Sequence, residues 1–177
     1  RGEKEAADQS FDAALTTWNK LLETDSDNPS LWNSRGAFQV RMGEMDKARE
    51  DFLATIERAD RYFWAVGNLA YAYCGTPHEG DRNGEKALEL ADEACDITLN
   101  RNAWCLSARA AALAELGRFD EAIRVQRAAL RVCSNSEIVK YRERLRLYEQ
   151  NQPFRYLPES DPEIWLDLEP VVVPAEE

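Results

Sequence analysis

Small and apolar residues recur along the chain at the spacing of a helical face, in four segments that follow one another at similar intervals. Ala14, Ala48, Ala87 and Ala122 mark equivalent positions in these segments and are separated by 34, 39 and 35 residues. Mostly apolar side chains follow each alanine at offsets of four, seven and eight residues. Those offsets lie on one face of an α-helix, so the pattern predicts four helices that each bury one face.

A second helix-like segment precedes each of the last three. These segments read SLWNSRGAFQVRMG, FWAVGNLAYAYCG and AWCLSARAAALAELG. Gly36, Ala70 and Ala110 occupy the same position in them, where a small residue lets two helices approach closely. Gly43 and Gly117 follow Gly36 and Ala110 by seven residues, where a turn needs a residue that tolerates positive φ. The chain is therefore predicted to repeat a helical hairpin.

The order of a small residue, a glycine, an aromatic residue and an alanine resembles the tetratricopeptide repeat over roughly residues 7–134. The matching residues are Gly36, Gly43, Ala48 and Phe52 in one repeat, Ala110, Gly117, Phe119 and Ala122 in another, and Phe11, Ala14 and Trp18 in an N-terminal half-repeat. The resemblance implies an all-α fold, an α-solenoid of about 3.5 tetratricopeptide-like hairpins with a C-terminal capping helix and an extended acidic tail. The sequence departs from the family pattern in a longer loop, GTPHEGDRNGE, and in the missing first helix of the first repeat.

The chain is predicted to divide into a helical repeat domain, residues 1–152, and a proline-rich acidic tail, residues 153–177. Residues 137–150 are predicted to form the capping helix. Ile138, Tyr141, Leu145 and Tyr148 share one face of it, whereas Lys140, Arg142, Arg144 and Arg146 are expected largely elsewhere. Pro153 then ends helical structure. Residues 156–177 contain four prolines and seven acids but no base, which indicates an extended tail.

Charge and composition exclude several classes of function. The formal net charge of −11 disfavours nucleic acid and anionic membrane surfaces as partners. No apolar run approaches the roughly 20 residues of a membrane span. The single histidine, His78, lies in the Gly/Pro-rich loop, and Asp81 and Asn83 are expected to form turns there rather than a calcium loop. The sequence predicts no enzyme activity, no cofactor and no metal site.

The four cysteines lack C-x-x-C spacing and are predicted to act as small apolar residues with free thiols. A disulfide between Cys95 and Cys105 is the alternative if the chain is exported. Unpaired cysteines favour a cytoplasmic location.

The resemblance also implies where a partner binds. In the tetratricopeptide family the first helices of the repeats line a concave face that holds a peptide. By position, the candidate residues here are Asn33, Arg41, Trp64, Asn68, Tyr71, Trp104 and Ser107. Only Asn68 and Arg41 resemble the family's clamp for a carboxyl terminus, so that clamp is not expected. Trp64, Tyr71 and Trp104 indicate a shallow apolar groove or, alternatively, packing between adjacent repeats.

The tail is the second candidate contact. Trp165, Leu166 and Leu168 alternate with acids, and residues 118–155 carry a formal charge of +4. We expect the tail to pack on the final helices or on a neighbouring subunit, unless it is an isolated tail. These features predict a non-catalytic scaffold that binds a peptide or protein subunit through its concave face. The alternative is a structural or accessory subunit of a larger complex, held through its N-terminal half-repeat and acidic tail.

Overall fold

A computed structural model describes residues 2–156, with side chains from residue 11 onward. The described residues form eight α-helices and one short 3-10 turn, Glu79–Asp81. The helices are α1 Gly2–Thr24, α2 Pro29–Arg41, α3 Met45–Arg58, α4 Phe63–Cys74, α5 Gly84–Ile97, α6 Ala103–Glu115, α7 Phe119–Val132 and α8 Ile138–Glu149. Three hairpins pair α2 with α3, α4 with α5 and α6 with α7. Because α1 precedes them and α8 follows them, the predicted all-α arrangement of about 3.5 hairpins and a capping helix is confirmed.

Asparagine and glycine set the limits of the helices in the repeats. Asn28, Asn83 and Asn102 cap α2, α5 and α6, and each side-chain oxygen accepts a hydrogen bond from a backbone N–H of the first turn. Gly43 and Gly117 follow α2 and α6 with φ of 78° and 71°. The positive φ predicted at both glycines is therefore confirmed.

The small residues predicted at the hairpin contacts are buried where two helices meet. A Cβ atom added to Gly36 would lie 2.8 Å from the ring of Phe52 on the partner helix. Ala70 and Ala110, at the same position in the next two repeats, have no exposed surface. These positions therefore fix how closely the two helices of each hairpin approach.

The first helices of the repeats form the inner side of the stack. Helix α2 contacts α4, and α4 contacts α6 more extensively. Among the described helices, no comparable contact joins the second helices α3, α5 and α7. A stack whose first helices converge while its second helices diverge is curved, with the first helices inside. We call the side formed by α2, α4 and α6 the concave face.

Helix α8 differs from its prediction at one position. Tyr141 and Tyr148 are fully buried, as the periodicity predicts. Arg144, expected to lie largely elsewhere, is only 3% exposed, so that expectation is wrong. Residues 141, 144 and 148 follow the i, i+3, i+7 spacing of one helical face, and the face turned toward the repeats therefore carries a cation between two tyrosines.

The chain continues to pack against the repeats after α8 ends. Phe154 and Tyr156 are 5% and 4% exposed and belong to the main core. The tail predicted to begin at Pro153 therefore contributes its first aromatic residues to the helical domain. Trp165, Leu166 and Leu168, the residues of the predicted tail contact, lie outside the described residues.

The cysteines are free thiols, and three of them are buried: Cys74, Cys95 and Cys105. Burial raises the pKa of Cys74 and of Cys95 to about 12 and that of Cys105 to about 11. Because the thiolate is the reactive form, these three should resist a thiol reagent in the native protein. We expect one fast equivalent of Ellman's reagent, from the half-buried Cys133, and four in guanidinium. Loss of the fast phase in Cys133→Ser is the control, and rapid reaction of three or four native thiols would contradict the burial.

Candidate functional site

The concave face is crossed by residues 152–156, which we call the return segment. Asn151 adopts the left-handed conformation, with φ of 57°, and turns the chain after α8. The backbone N–H of Gln152 donates to the carbonyl of Leu147 at 2.8 Å. Four residues later, the N–H of Tyr156 donates to the carbonyl of Gly75, at the end of α4, also at 2.8 Å. The return segment thus runs from the capping helix to the middle repeat.

Aromatic rings join the return segment to α4 and α6. The Phe154 and Tyr156 rings contact each other edge to face, with centroids 4.9 Å apart. Both rings also contact Tyr71 of α4, at 6.0 and 6.1 Å. Tyr71 in turn packs on Trp104 of α6, with centroids 4.5 Å apart. Gly75 leaves room for this arrangement, because an added Cβ there would lie 2.7 Å from the Tyr156 ring.

The guanidinium of Arg144 lies at the centre of this aromatic cluster. Its Nη1 donates to the hydroxyl of Tyr71 at 2.5 Å and to the hydroxyl of Ser107 at 3.0 Å. Its central carbon lies 4.5 Å from the ring centroid of Phe154 and 5.0 Å from that of Tyr71. A guanidinium stays charged at any physiological pH, and ring faces attract it electrostatically. Arg144 therefore joins α8, α4, α6 and the return segment through one side chain.

The tyrosine hydroxyls around Arg144 stay protonated. Burial raises the pKa of Tyr71 to about 12, although the positive charge of Arg144 opposes the shift. Burial also raises the pKa values of Tyr141, Tyr148 and Tyr156. These hydroxyls are therefore neutral near pH 7, and their raised pKa values do not suit general base catalysis.

An ion-pair network holds the return segment to α6. Glu115, at the end of α6, pairs with Arg82 of the long loop at 3.0 Å and with Arg155 at 2.6 Å. Arg155 also donates to the carbonyl of Cys74 at 3.2 Å. The Glu115 side chain is only 13% exposed, so its two charged partners compensate for its loss of hydration.

Most of the candidate partner-binding residues lie below the surface of the concave face. Asn33, Asn68, Tyr71, Trp104 and Ser107 are buried, whereas Arg41 and Trp64 are half-buried. The side-chain amide of Asn68 donates to Asn33 at 3.2 Å. Ser107 donates to Gln126 of α7 at 3.0 Å.

The ring contacts of Trp104 fit packing between adjacent repeats rather than an open groove. Its ring lies against Trp64 and Tyr71 of the preceding repeat. In this structure the surface left on the candidate set belongs mainly to Arg41 and Trp64, near the N-terminal half of the concave face.

The aromatic cluster includes residues that sequence reasoning missed. The spacing of Arg144 from Tyr141 and Tyr148 is a signal that it belongs to the buried face. Phe154 and Tyr156 fall in the region predicted as acidic tail because Pro153 precedes them. No local pattern indicates that Arg155 pairs with Glu115, since the two residues are separated by 40 positions.

Outside the aromatic cluster and the ion-pair network, the described residues offer few groups that could catalyse a reaction or bind a metal ion. His78 is exposed in the long loop. No group of three or more histidine, cysteine or acidic side chains is arranged to hold a metal ion among the described residues. Over the same residues, every helix is too short or too polar to span a bilayer.

Comparison with known proteins supports the repeat architecture. No protein-family model and no curated protein sequence matches the chain. Among solved structures, the chain is similar to a thermophilic TPR protein of Thermus thermophilus, with a TM-score of 0.67 and 25% sequence identity. That similarity covers 85% of this chain and 80% of the other. With its successive hairpins, small-residue contacts and glycine turns, the chain has the fold of a tetratricopeptide-like helical repeat protein, a fold that generally mediates protein interactions.

Proposed function

We propose that this protein is a non-catalytic scaffold that binds a peptide or protein subunit through its concave face. The observation that carries the proposal is the return segment itself. Residues 152–156 lie on this face without helical structure and are held by a backbone hydrogen bond, two inserted aromatic rings and an ion pair. Backbone hydrogen bonds combined with pockets for side chains are also how recognition domains hold an extended segment of another chain.

The N-terminal half of the concave face is the proposed partner surface. Arg41, the last residue of α2, and Trp64, near the start of α4, keep exposed surface there. Arginine and tryptophan are the residue types that contribute most to binding energy at interfaces. Because Arg41 ends α2 and Trp64 lies near the start of α4, the two favour an extended partner segment that presents an acidic side chain to one and an apolar side chain to the other, some way apart.

Absence of catalysis is part of the same proposal. The buried tyrosines and thiols have raised pKa values, and the ionised groups Glu115 and Arg155 are paired with each other. These groups have structural roles in the concave face, which supports a scaffold rather than an enzyme.

The alternative, a structural subunit held through the N-terminal half-repeat, requires an apolar contact surface on α1. Trp18 and Leu22 are 4% and 6% exposed, and Phe11 packs edge to face on Phe38. None of the large apolar side chains in residues 11–24 is fully exposed. This part of α1 therefore gives the alternative no specific support.

Site-specific photocrosslinking tests the proposed surface. We expect a photoreactive phenylalanine analogue at Trp64 to yield a discrete crosslinked species with a second polypeptide in extracts of the native source. The same analogue at Leu53, which is 45% exposed on the second helix α3, is the matched control and should yield none. Crosslinking to a second polypeptide from Leu53 but not from Trp64 would place the partner on the other side of the stack and contradict the proposal.

A further inference from the structure

Two grooves follow one another on the side of the stack formed by α3, α5 and α7, which we call the convex side. Each groove opens between neighbouring second helices, because these helices diverge. One lies between the end of α3 and α5, and the next lies between the end of α5 and α7. Arg61 and Asn100 mark the same turn in the two grooves, with φ of 60° and 56°. The grooves therefore occupy equivalent positions in successive repeats.

The two grooves carry opposite charge. The first, which we call the acidic groove, is lined by Arg61, Ile97 and five acids: Asp60, Glu89, Asp92, Glu93 and Asp96. The second, which we call the basic groove, is lined by Arg109, Arg124 and Arg131 together with apolar side chains of α6 and α7. An acidic surface thus lies beside a basic one on the convex side.

Charge is reversed at equivalent exposed positions of α5 and α7. Glu89 and Asp96 on α5 correspond to Arg124 and Arg131 on α7, with 35 residues between the members of each pair. All four side chains are exposed. The two charges of each helix are two turns apart, a distance of about 10 Å along the helix axis. The charges on α5 and α7 therefore match in spacing and in level along the helices but have opposite sign.

Ion pairs within the molecule leave these charged groups accessible. In the part of the chain that the structure describes, the ion pairs of α7 involve Glu121 and Arg127 rather than the two arginines that line the basic groove. Glu89 pairs with Lys86 on its own helix at 3.0 Å, but the Glu89 side chain is still 69% exposed. An exposed pair of this kind is weak, so Glu89 can exchange it for another cation.

Apolar side chains accompany the charges. Val132 lines the basic groove and is 48% exposed, and Ile97, the equivalent residue of α5, is half-buried in the acidic groove. Leu99, which precedes the groove residue Asn100, is 70% exposed. An interface at these grooves would bury apolar surface together with the charges, as specific protein interfaces do.

We propose that two copies of this chain associate through their convex sides, with α5 of each copy against α7 of the other. A two-fold axis parallel to the helices, in the gap between α5 and α7, produces this contact twice and keeps every residue at its level. Glu89 of one copy then faces Arg124 of the other, and Asp96 faces Arg131. The charge complementarity of the two grooves identifies a second copy as the occupant.

The charges of α3 select this axis over its neighbours. Glu50 and Glu57 occupy on α3 the positions of Glu89 and Asp96 on α5, and both are exposed. An axis along α5 would place α7 against α3, but it would also place the acids of α5 against their own copies. An axis between α3 and α5 would bring only acids together. The axis between α5 and α7 pairs opposite charges at all of these contacts.

The arrangement goes beyond the proposed function and does not depend on it. Two convex surfaces touch only near their centres, so the interface is small and the dimer is weak and salt-sensitive. The concave faces point away from the interface and remain accessible. Such a dimer would present two concave faces and could bind a partner that has two matching segments more tightly than the monomer does.

Sedimentation velocity of the full chain over a series of protein concentrations tests the association. We expect a monomer–dimer equilibrium whose dissociation constant rises about tenfold between about 0.05 and about 0.5 M NaCl, because salt screens the ion pairs. A chain that stays monomeric throughout the series, or a dimer that salt does not weaken, would overturn the proposal.

Charge reversal tests the position of the contact. The α7 variant, Arg124→Glu with Arg131→Glu, and the α5 variant, Glu89→Arg with Asp96→Arg, should each weaken self-association at least about tenfold, since each brings like charges together. An equimolar mixture of the two variants should form a heterodimer with about the native affinity, because every pair again unites opposite charges. A native homodimer in either variant, or no heterodimer in the mixture, would contradict the assigned contact.

A matched control separates this contact from an effect of net charge. Arg142→Glu with Arg146→Glu changes the net charge as much as the α7 variant does, at two exposed residues of α8. This control should keep the native dissociation constant, and circular dichroism should show the native helix content in all variants. Equal weakening in the control would mean that net charge governs the association, and the proposal would fail.

Discussion

Replacing Arg144 by alanine is expected to lower the free energy of unfolding by about 3–5 kcal/mol, measured by urea denaturation of the full chain. The substitution removes a buried side chain that donates to Tyr71 and Ser107 and lies against the ring of Phe154. It leaves a cavity and two hydroxyls that lose their charged donor. The return segment loses its central contact at the same time, so the effect should exceed that of one hydrogen bond.

The neighbouring Arg142 provides a matched control on the same helix. Arg142 is exposed, and Arg142→Ala should change the free energy of unfolding by less than about 0.5 kcal/mol. Arg144→Lys keeps the charge but removes the planar group that contacts the rings, and it should recover only part of the loss. A loss below about 1 kcal/mol for Arg144→Ala would mean that the aromatic cluster does not depend on its cation.

The repeat architecture was predictable because its signals are local. A helical face is visible in the spacing around Ala48 and Ala122, and a turn is visible in Gly43 and Gly117. Each signal depends on residues within one or two helical turns. Their recurrence in successive repeats distinguishes them from chance composition, so an all-α solenoid followed from the sequence.

Which residues are buried at the concave face was less predictable, because their burial depends on contacts between residues that are distant in the sequence. Burial of Arg144 requires Tyr71 and Ser107 from two earlier repeats and Phe154 from beyond the capping helix. Sequence patterning assigns an arginine to the solvent side, since a buried cation is favourable only with suitable partners. Pro153 ends the helix, as predicted, but the end of a helix does not determine where the following chain packs.

The aromatic rings predicted to line an apolar groove are packed within the molecule, and this changes how a partner would be recognised. Trp104 and Tyr71 are candidates for an apolar groove by sequence, yet their rings pack against each other and beside the return segment. Binding energy from these rings is thus already used within the molecule. Under the proposed function, a partner would bind mainly at Arg41 and Trp64 or would displace the return segment, and its affinity would then be reduced by the free energy of that displacement.

Replacing Gly36 by leucine is expected to lower the free energy of unfolding by about 3 kcal/mol, at the upper end of ordinary overpacking. A Cβ alone would lie 2.8 Å from the Phe52 ring and 3.1 Å from the carbonyl oxygen of Ala48. Phe52 is fully buried in the core, so its ring can move aside only by displacing its neighbours. Glycine costs about 1 kcal/mol in a helix relative to alanine, so relief of that cost offsets only part of the clash. Thermal and urea denaturation monitored by circular dichroism would measure the change.

The control and a second site make this a test of the repeat register rather than of one residue. An added Cβ at Gly80, in the long loop, meets no atom within 4 Å, so Gly80→Leu should cost less than about 0.5 kcal/mol. Ala110→Leu enlarges the equivalent position in the third hairpin, where the native side chain has no exposed surface, and should also destabilise the protein. If both Gly36→Leu and Ala110→Leu matched Gly80→Leu, the helices of each hairpin would not meet at these residues. The assignment of these small residues to the hairpin contacts, from which the repeat register is counted, would then be wrong as well.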